Sequence, residues 1–212
     1  MQKGMFITFE GGEGTGKSTQ LKLFADYLAG EDIPYLLTRE PGGSAGAEEI
    51  RSLLLKGSVD KWDKMTEMLL FMAARRDHLV KKIWPAMEKG ITVISDRYAD
   101  STKAYQGCGY GSDEKSIKTV DKLYHMIAGD FKPDLTFILD IDPKIGVMRS
   151  QKRVGNDEQR FEDMDLSFHE NLRQGFLQIA KKEPNRCVVI NANQTIDNVH
   201  KDIVKGFIEK VR

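Results

Sequence analysis

Long apolar runs are missing from this chain: no stretch approaches the roughly 20 residues that a membrane-spanning helix needs, so no membrane partner is expected. Cysteine is nearly absent as well. Cys108 and Cys187 stand far apart, which excludes a disulfide framework and reads as two reduced thiols in a reducing, cytoplasmic compartment. Neither sign of charge is in excess, since 32 Lys and Arg face 32 Asp and Glu. Nothing in the balance therefore calls for nucleic acid, and any anion must be recognised locally. The opening stretch MQKGMFITFEGGEG runs into glycines after a short apolar segment, without the long apolar region and small-residue cleavage site of a secretory signal. What is present is ordinary for a globular chain. With 40% hydrophobic and 30% charged residues over 212 positions, residues 1–212 suit one domain with one core.

Five short apolar runs are bounded by turn residues: Met5 to Glu10, Pro34 to Leu37, Ile91 to Ser95, Leu135 to Leu139 and Cys187 to Ile190. Helix-like stretches separate them, and Lys17 to Leu28 is one, with Leu21, Phe24, Ala25 and Leu28 at helical spacing. Strands that are apolar without clean alternation suit burial on both faces. The expected fold is α/β: a five-stranded parallel sheet with helices on both faces and right-handed crossovers. From about Asp63 to Lys89 a long helical pattern carries MTEMLLFMAA, whose apolar residues nearly encircle a helix. Such a helix is either an ordinary core helix or a dimer interface. Between about 148 and 163 a charged segment, poor in apolar residues, reads as an exposed, mobile lid.

Gly11, Gly12, Glu13, Gly14, Thr15, Gly16, Lys17 and Ser18 spell GGEGTGKS, directly after the first strand and before the first helix. Glycines there let the backbone aim successive N–H groups at phosphate oxygens, and the positive end of the following helix favours an anion. Lys17 supplies a compact positive charge for the outer phosphates of a nucleoside triphosphate. Ser18 suits Mg²⁺, with Thr19 as a supporting contact.

The chain has no Asp-x-x-Gly switch and no Asn-Lys-x-Asp, which sets aside a regulatory GTPase. A motor-type ATPase follows its strand-terminal Asp with a water-polarising Glu, whereas here Asp96 is followed by Arg97 and Tyr98. An arginine in that place makes sense if the acceptor is itself a phosphate, because two anionic groups must be held together while water is excluded. Arg39, Arg51, Arg75, Arg76 and Arg97 all fall at or soon after strand ends or on the helices that follow, and so are expected near the ligand-binding edge of the sheet.

FEGGEGTGKST (Phe9 to Thr19), TREPGG (Thr38 to Gly43), DRYADSTKAYQG (Asp96 to Gly107) and the Arg-rich excursion together resemble the thymidylate kinase family over nearly the whole chain. The resemblance implies phosphoryl transfer from ATP to dTMP with Mg²⁺, in a homodimer. It places Glu13 near the acceptor sugar, Arg97 between acceptor and donor phosphates, Arg39 close to the acceptor phosphate and Asp96 beside Mg²⁺ with Ser18. Thymine would stack on Phe71, with Arg75, Thr102 and Gln106 on its edge and Arg51 nearby, while Tyr105 would crowd the sugar 2′ carbon and so favour deoxyribose.

Some members of the family carry their catalytic arginine in the phosphate loop and others in the lid. GGEGTGKS has none, so the chain looks like the bacterial form, with Arg149, Arg153 and Arg160 as lid candidates among which the sequence does not choose. The loop Asn191 to Gln194 matches one that packs along adenine, placing Asn193 and Gln194 there together with Arg149. A kinase for another pyrimidine deoxynucleoside monophosphate, and a nucleotide-binding protein without turnover, are the alternative readings.

Overall fold

The strands form where the chain can bury both faces of a backbone ribbon. In the computed structural model, which describes residues 3–58, 60–109, 114–151, 161 and 164–211, β1 (Phe6–Glu10), β2 (Tyr35–Arg39), β3 (Thr92–Asp96), β4 (Leu135–Asp140) and β5 (Cys187–Asn191) make one sheet. Its order is β2-β3-β1-β4-β5 and every pairing is parallel, as the apolar runs predict. Each observed strand starts or ends within two residues of its expected bounds.

Alternation is present but hidden by burial on both sides. Ile7 and Phe9 of β1, with Leu135, Phe137 and Leu139 of β4, face α1 (Lys17–Gly30) and α9 (Ile196–Val211). There Phe24 packs edge-on to Phe137 and Phe207, with ring centroids 5.9 and 5.3 Å apart. On the opposite face Phe6 and Val93 pack under Leu79, Ile83 and Tyr98. Ile138 there meets Phe168, Leu172 and Phe176 of α8 (Leu166–Lys182).

That second face also carries a buried polar layer. The hydroxyls of Thr8 and Thr136 lie 2.8 Å apart, and Arg186 donates through Nη1 to Thr136 Oγ1 at 2.8 Å. The same guanidinium holds Asp100 with two bonds of 2.7 and 2.8 Å. Asp100 belongs to the short helix α5 (Ala99–Thr102) that follows β3, so this ion pair fixes the segment leading out of the Asp96-Arg97-Tyr98 turn.

The long helical run is continuous but not uniform. α3 (Lys64–His78) opens on an Asp63 cap that accepts from the Met65 and Thr66 amides at 3.0 and 3.2 Å. A π-helical turn, Leu79–Ile83, then leads into α4 (Trp84–Glu88). Pro85 supplies the reason: it has no N–H and its ring crowds the carbonyl four residues back, so the ladder widens and the Trp84 amide bonds to Leu79. Met68 and Met72 are buried, whereas Met65, Leu69 and Val80 stay exposed in a stripe along one face. α2 (Ala45–Leu55) packs beside α3, and α6 (Glu114–Ala128) covers its far flank. No helix among the described residues is long and apolar enough to cross a membrane.

Asp100 and Arg186 are largely buried, so removing Asp100 strips the guanidinium of its two-bond partner and leaves only Glu183, 2.7 Å from Nε, to offset the charge. Asp100→Ala is expected to cost about 3 kcal/mol in urea unfolding; a loss below about 1 kcal/mol would show that the pair does not anchor the α5 segment.

Candidate active site

Parallel strands bring their C-terminal ends to one edge, and the loop between β1 and α1 lies there, beside the neighbouring ends of β3 and β4. Gly11, Gly14 and Gly16 adopt positive φ of 132°, 66° and 88°. At Gly14 the reason is also steric, since a Cβ there would sit 2.0 Å from the Gly146 carbonyl of α7 (Pro143–Ser150). α1 starts after Gly16 with no acidic residue in its first turn and no side chain capping it, which leaves its amide end for an anion. Lys17 curls back over the loop, donating to the Gly12 and Gly11 carbonyls at 2.6 and 3.0 Å. Burial, with the Arg97 charge added, pulls the Lys17 ammonium down to about 8 despite Glu13 and Asp96.

Arg97 stands at the joint between this loop and a cavity of about 290 Å³. Its backbone is in the left-handed region, φ 67°, a strained place for a side-chain-bearing residue. The strain is held from both sides. Glu10 at the end of β1 accepts from the Tyr98 amide at 2.8 Å, the Ser101 amide at 3.3 Å and the Ser101 hydroxyl at 2.5 Å. The guanidinium donates to the Gly11 carbonyl at 2.9 Å and to Glu13 Oε1 at 2.7 Å, and lies 5.0 Å from the Tyr105 ring. Tyr105 gives its hydroxyl to the same Glu13 oxygen at 2.5 Å. Burial alone would raise Glu13, but Arg97, Lys17 and that hydroxyl outweigh it and hold the carboxyl at about 2. For Glu10, burial and the Asp100 charge win, pushing it up to about 8 against the Ser101 bond and Arg97.

Most of the residues expected at the site do converge. Glu13, Arg39, Arg51, Phe71, Arg75, Arg97, Thr102, Tyr105 and Gln106 all line the cavity, together with Thr15, Lys17, Ser18 and Asp96. Ser18 donates its hydroxyl to Asp96 Oδ2 at 2.9 Å, so two hard oxygens stand together next to the phosphate loop. That pair fits Mg²⁺, which takes few protein ligands and fills its shell with phosphate oxygens and water. Thr19 is exposed on the first turn of α1. Arg39 pairs with Glu48 at 2.9 Å and Arg51 donates to the Pro41 carbonyl at 2.6 Å, both at the cavity rim. Arg149 reaches the Ala192 carbonyl at 3.3 Å and so meets the Asn193 and Gln194 loop, where Gln194 bonds Asn191 and Asp202. Arg76 does not join the set. It turns outward, donating to the Ile127 carbonyl at 2.7 Å and covering Trp84. Arg153 and Arg160 lie outside the described residues.

Glu10 and Phe161 are among the residues that escaped sequence reasoning. Glu10 carries a signal, an acidic side chain closing an apolar strand, but its role as a bracket for the Arg97 turn needs the fold. Phe161, in the segment read as a charged excursion, is buried over the cavity, its ring 5.5 Å from Tyr105 and 6.4 Å from Phe71.

Comparison with known proteins meets this geometry from another direction. The family model described as Thymidylate kinase matches residues 9–203. A protein of Caulobacter vibrioides named Thymidylate kinase is 49% identical, covering 100% of this chain and 99% of its own. Another so named, from Dinoroseobacter shibae, is 47% identical over 96% of each. The crystal structure of thymidylate kinase from Ehrlichia chaffeensis superposes with a TM-score of 0.76 at 38% identity, covering 97% of this chain and 99% of that one.

The depressed Lys17 ammonium would make triphosphate binding at this loop proton-linked. Above about pH 8 the unliganded protein holds Lys17 increasingly neutral. A bound polyphosphate favours the charged form, so binding takes up a proton and weakens as pH rises further. Calorimetry at pH 9 in buffers of different ionisation enthalpy should show uptake approaching one proton, abolished in Lys17→Met; no buffer dependence would contradict the assigned contact.

Proposed function

The chain belongs to the thymidylate kinase family, and from that premise we propose how its residues carry out the family's reaction. It is a nucleoside monophosphate kinase, a phosphotransferase that moves the ATP γ-phosphoryl group to dTMP, giving ADP and dTDP. The observation that carries the residue assignment is the seat of Arg97, between the phosphate loop and the cavity that Phe71, Arg75 and Gln106 line. A guanidinium there lies between the two phosphates that must approach each other, and its bidentate donors suit both.

In this reading the triphosphate lies on the Gly11–Thr19 loop with Lys17 on its outer phosphates, and Asn193, Gln194 and Arg149 flank adenine. The dTMP phosphate meets Arg39 and Arg97, the sugar lies against Glu13 and Tyr105, and thymine rests on Phe71 within reach of Arg75, Thr102, Gln106 and Arg51. Ser18 and Asp96 would hold Mg²⁺, which supplies charge neutralisation on the phosphates. A dTMP phosphate oxygen forms a bond to the γ-phosphorus as the bond to the β,γ-bridging oxygen breaks. The electron pair leaves on ADP. No general base is required, because the acceptor phosphate is already largely ionised at neutral pH with a second pKa near 6. Catalysis is positioning plus neutralisation of repulsion, with Arg149, Arg153 and Arg160 as the candidates to cover the transferred group.

We further propose a homodimer through the exposed Met65, Leu69 and Val80 stripe, a row of apolar side chains that a second copy would cover. The buried cysteines Cys108 and Cys187, in no disulfide, suit a reducing, cytoplasmic setting.

Turnover of a panel of monophosphates with ATP and Mg²⁺ should be strongly selective for dTMP. Comparable turnover of dCMP would defeat the base assignment, and ATP binding without ADP release at saturating dTMP would favour a non-catalytic binding protein. Arg153→Ala and Arg160→Ala should lower kcat more than acceptor affinity; unchanged kcat in both would remove these two from the transition state. Leu69→Glu should shift the sedimentation coefficient from dimer to monomer, and a monomeric parent protein would refute the interface.

A further inference from the structure

Glu67, Phe71 and Arg75 recur every fourth residue along α3 and so share one helical face. Phe71 and Arg75 line the cavity, while Glu67, only 2% exposed, stands behind its wall. Glu67 Oε1 accepts from Nε2 of Gln106 at 2.9 Å. The two ends of a glutamine amide are alike in shape and opposite in hydrogen-bonding sense, so the surrounding network decides which one meets a ligand. A carboxylate takes the amino end. The carbonyl oxygen of Gln106 is thereby left for whatever occupies the cavity.

Arg75 is fixed by a second carboxylate. Its Nε donates to Glu40 Oε2 at 2.8 Å and its Nη2 to Thr102 Oγ1 at 2.9 Å. The other Glu40 oxygen lies 3.0 Å from His78 Nδ1, and His78 Nε2 lies 2.6 Å from Thr38 Oγ1. All of these side chains are buried. Gly43, at φ 90°, lets the loop after β2 close over them, for a Cβ there would stand 2.3 Å from His78 Nε2. Within the Thr38 to Gly43 signature, Thr38, Glu40 and Gly43 therefore hold one guanidinium still, with donors of Arg75 left toward the cavity.

We infer that Glu67 and Glu40 are positioning residues for base selection. Through Gln106 and Arg75 they present an acceptor beside a donor, the pattern that complements a pyrimidine with a 4-oxo group and an N3–H. A 4-amino pyrimidine carries the reverse pattern and would leave both protein groups unmatched. The inference rests on the proposed placement of the acceptor base in this cavity.

The test is the ratio of kcat/KM for dTMP to that for dCMP. Glu67→Gln is nearly isosteric and offers Gln106 either polarity, so the ratio should fall by about tenfold or more, through KM for the monophosphate, with KM for ATP unchanged. In a Gln106→Leu background the same change should leave the ratio where Gln106→Leu alone puts it, because Glu67 acts through that amide. A merely structural Glu67 would lower Tm without moving the ratio. The inference is overturned if Glu67→Gln keeps the ratio within about twofold of the parent while Gln106→Leu shifts it, or if the two changes are additive. Should Gln106→Leu itself leave the ratio unchanged, the base is not read in this cavity and the placement fails with it. Glu40→Gln, compared in parent and Arg75→Met backgrounds, tests the other arm in the same way; if that variant does not fold, the Glu67 series decides.

Discussion

Two phosphates must be brought together against their own repulsion, and the architecture of the site follows from where the opposing charge is held. In the proposed placement Arg97 is the centre of that arrangement. It occupies a left-handed backbone conformation between the Asp96 and Tyr98 positions, is tied to the phosphate loop through the Gly11 carbonyl and Glu13, and is bracketed from beneath by Glu10. A strained residue persists only where its surroundings over-determine it. Here the surroundings are the buried Glu10 carboxyl group, an ion pair of Arg186 with Asp100 and a layer of threonine hydroxyls, all on the sheet face beneath the turn. Fold and site are thus one construction: the polar layer costs burial, and what it secures is the direction of a guanidinium.

The same logic repeats one shell further out. Glu13 is held ionised by Arg97, Lys17 and Tyr105, and Arg75 is held by Glu40. Arg39, Arg75 and Arg97 each have a carboxylate partner, Glu48, Glu40 and Glu13, that locks the geometry while leaving donors for a ligand. Lys17, Arg39, Arg51, Arg75 and Arg97 line the cavity against Glu13, Glu40 and Asp96, so the unliganded site keeps an excess of positive charge for an anion. Preorganised charge of this kind needs little rearrangement during the reaction.

The strands were legible in the sequence because burial on both faces writes itself as continuous apolar runs, and the phosphate loop because its glycines sit between a strand and a helix. Other features depend on contacts distant in sequence. Arg75 and Arg76 are neighbours, yet about 100° apart around a helix, so one enters the cavity and the other covers Trp84. Glu10, Glu67 and Glu40 are single acidic residues in ordinary surroundings until α5, the π-helical segment Lys103–Gly109 and α3 bring their partners, Ser101, Gln106 and Arg75, to them. Pro85 marks a helix disturbance, but only the backbone shows that the helix widens into a π turn instead of ending. Phe161 hid in a charged segment because one aromatic ring does not change that segment's composition.

The role proposed for Arg97, at the joint between loop and cavity, is to offset the repulsion between acceptor and donor. Measuring kcat/KM for dTMP in Arg97→Ala, beside ATP affinity by calorimetry, addresses it directly. A loss of at least about a hundredfold in kcat/KM with ATP binding changed far less is expected; a rate within a few-fold of the parent protein would contradict that role.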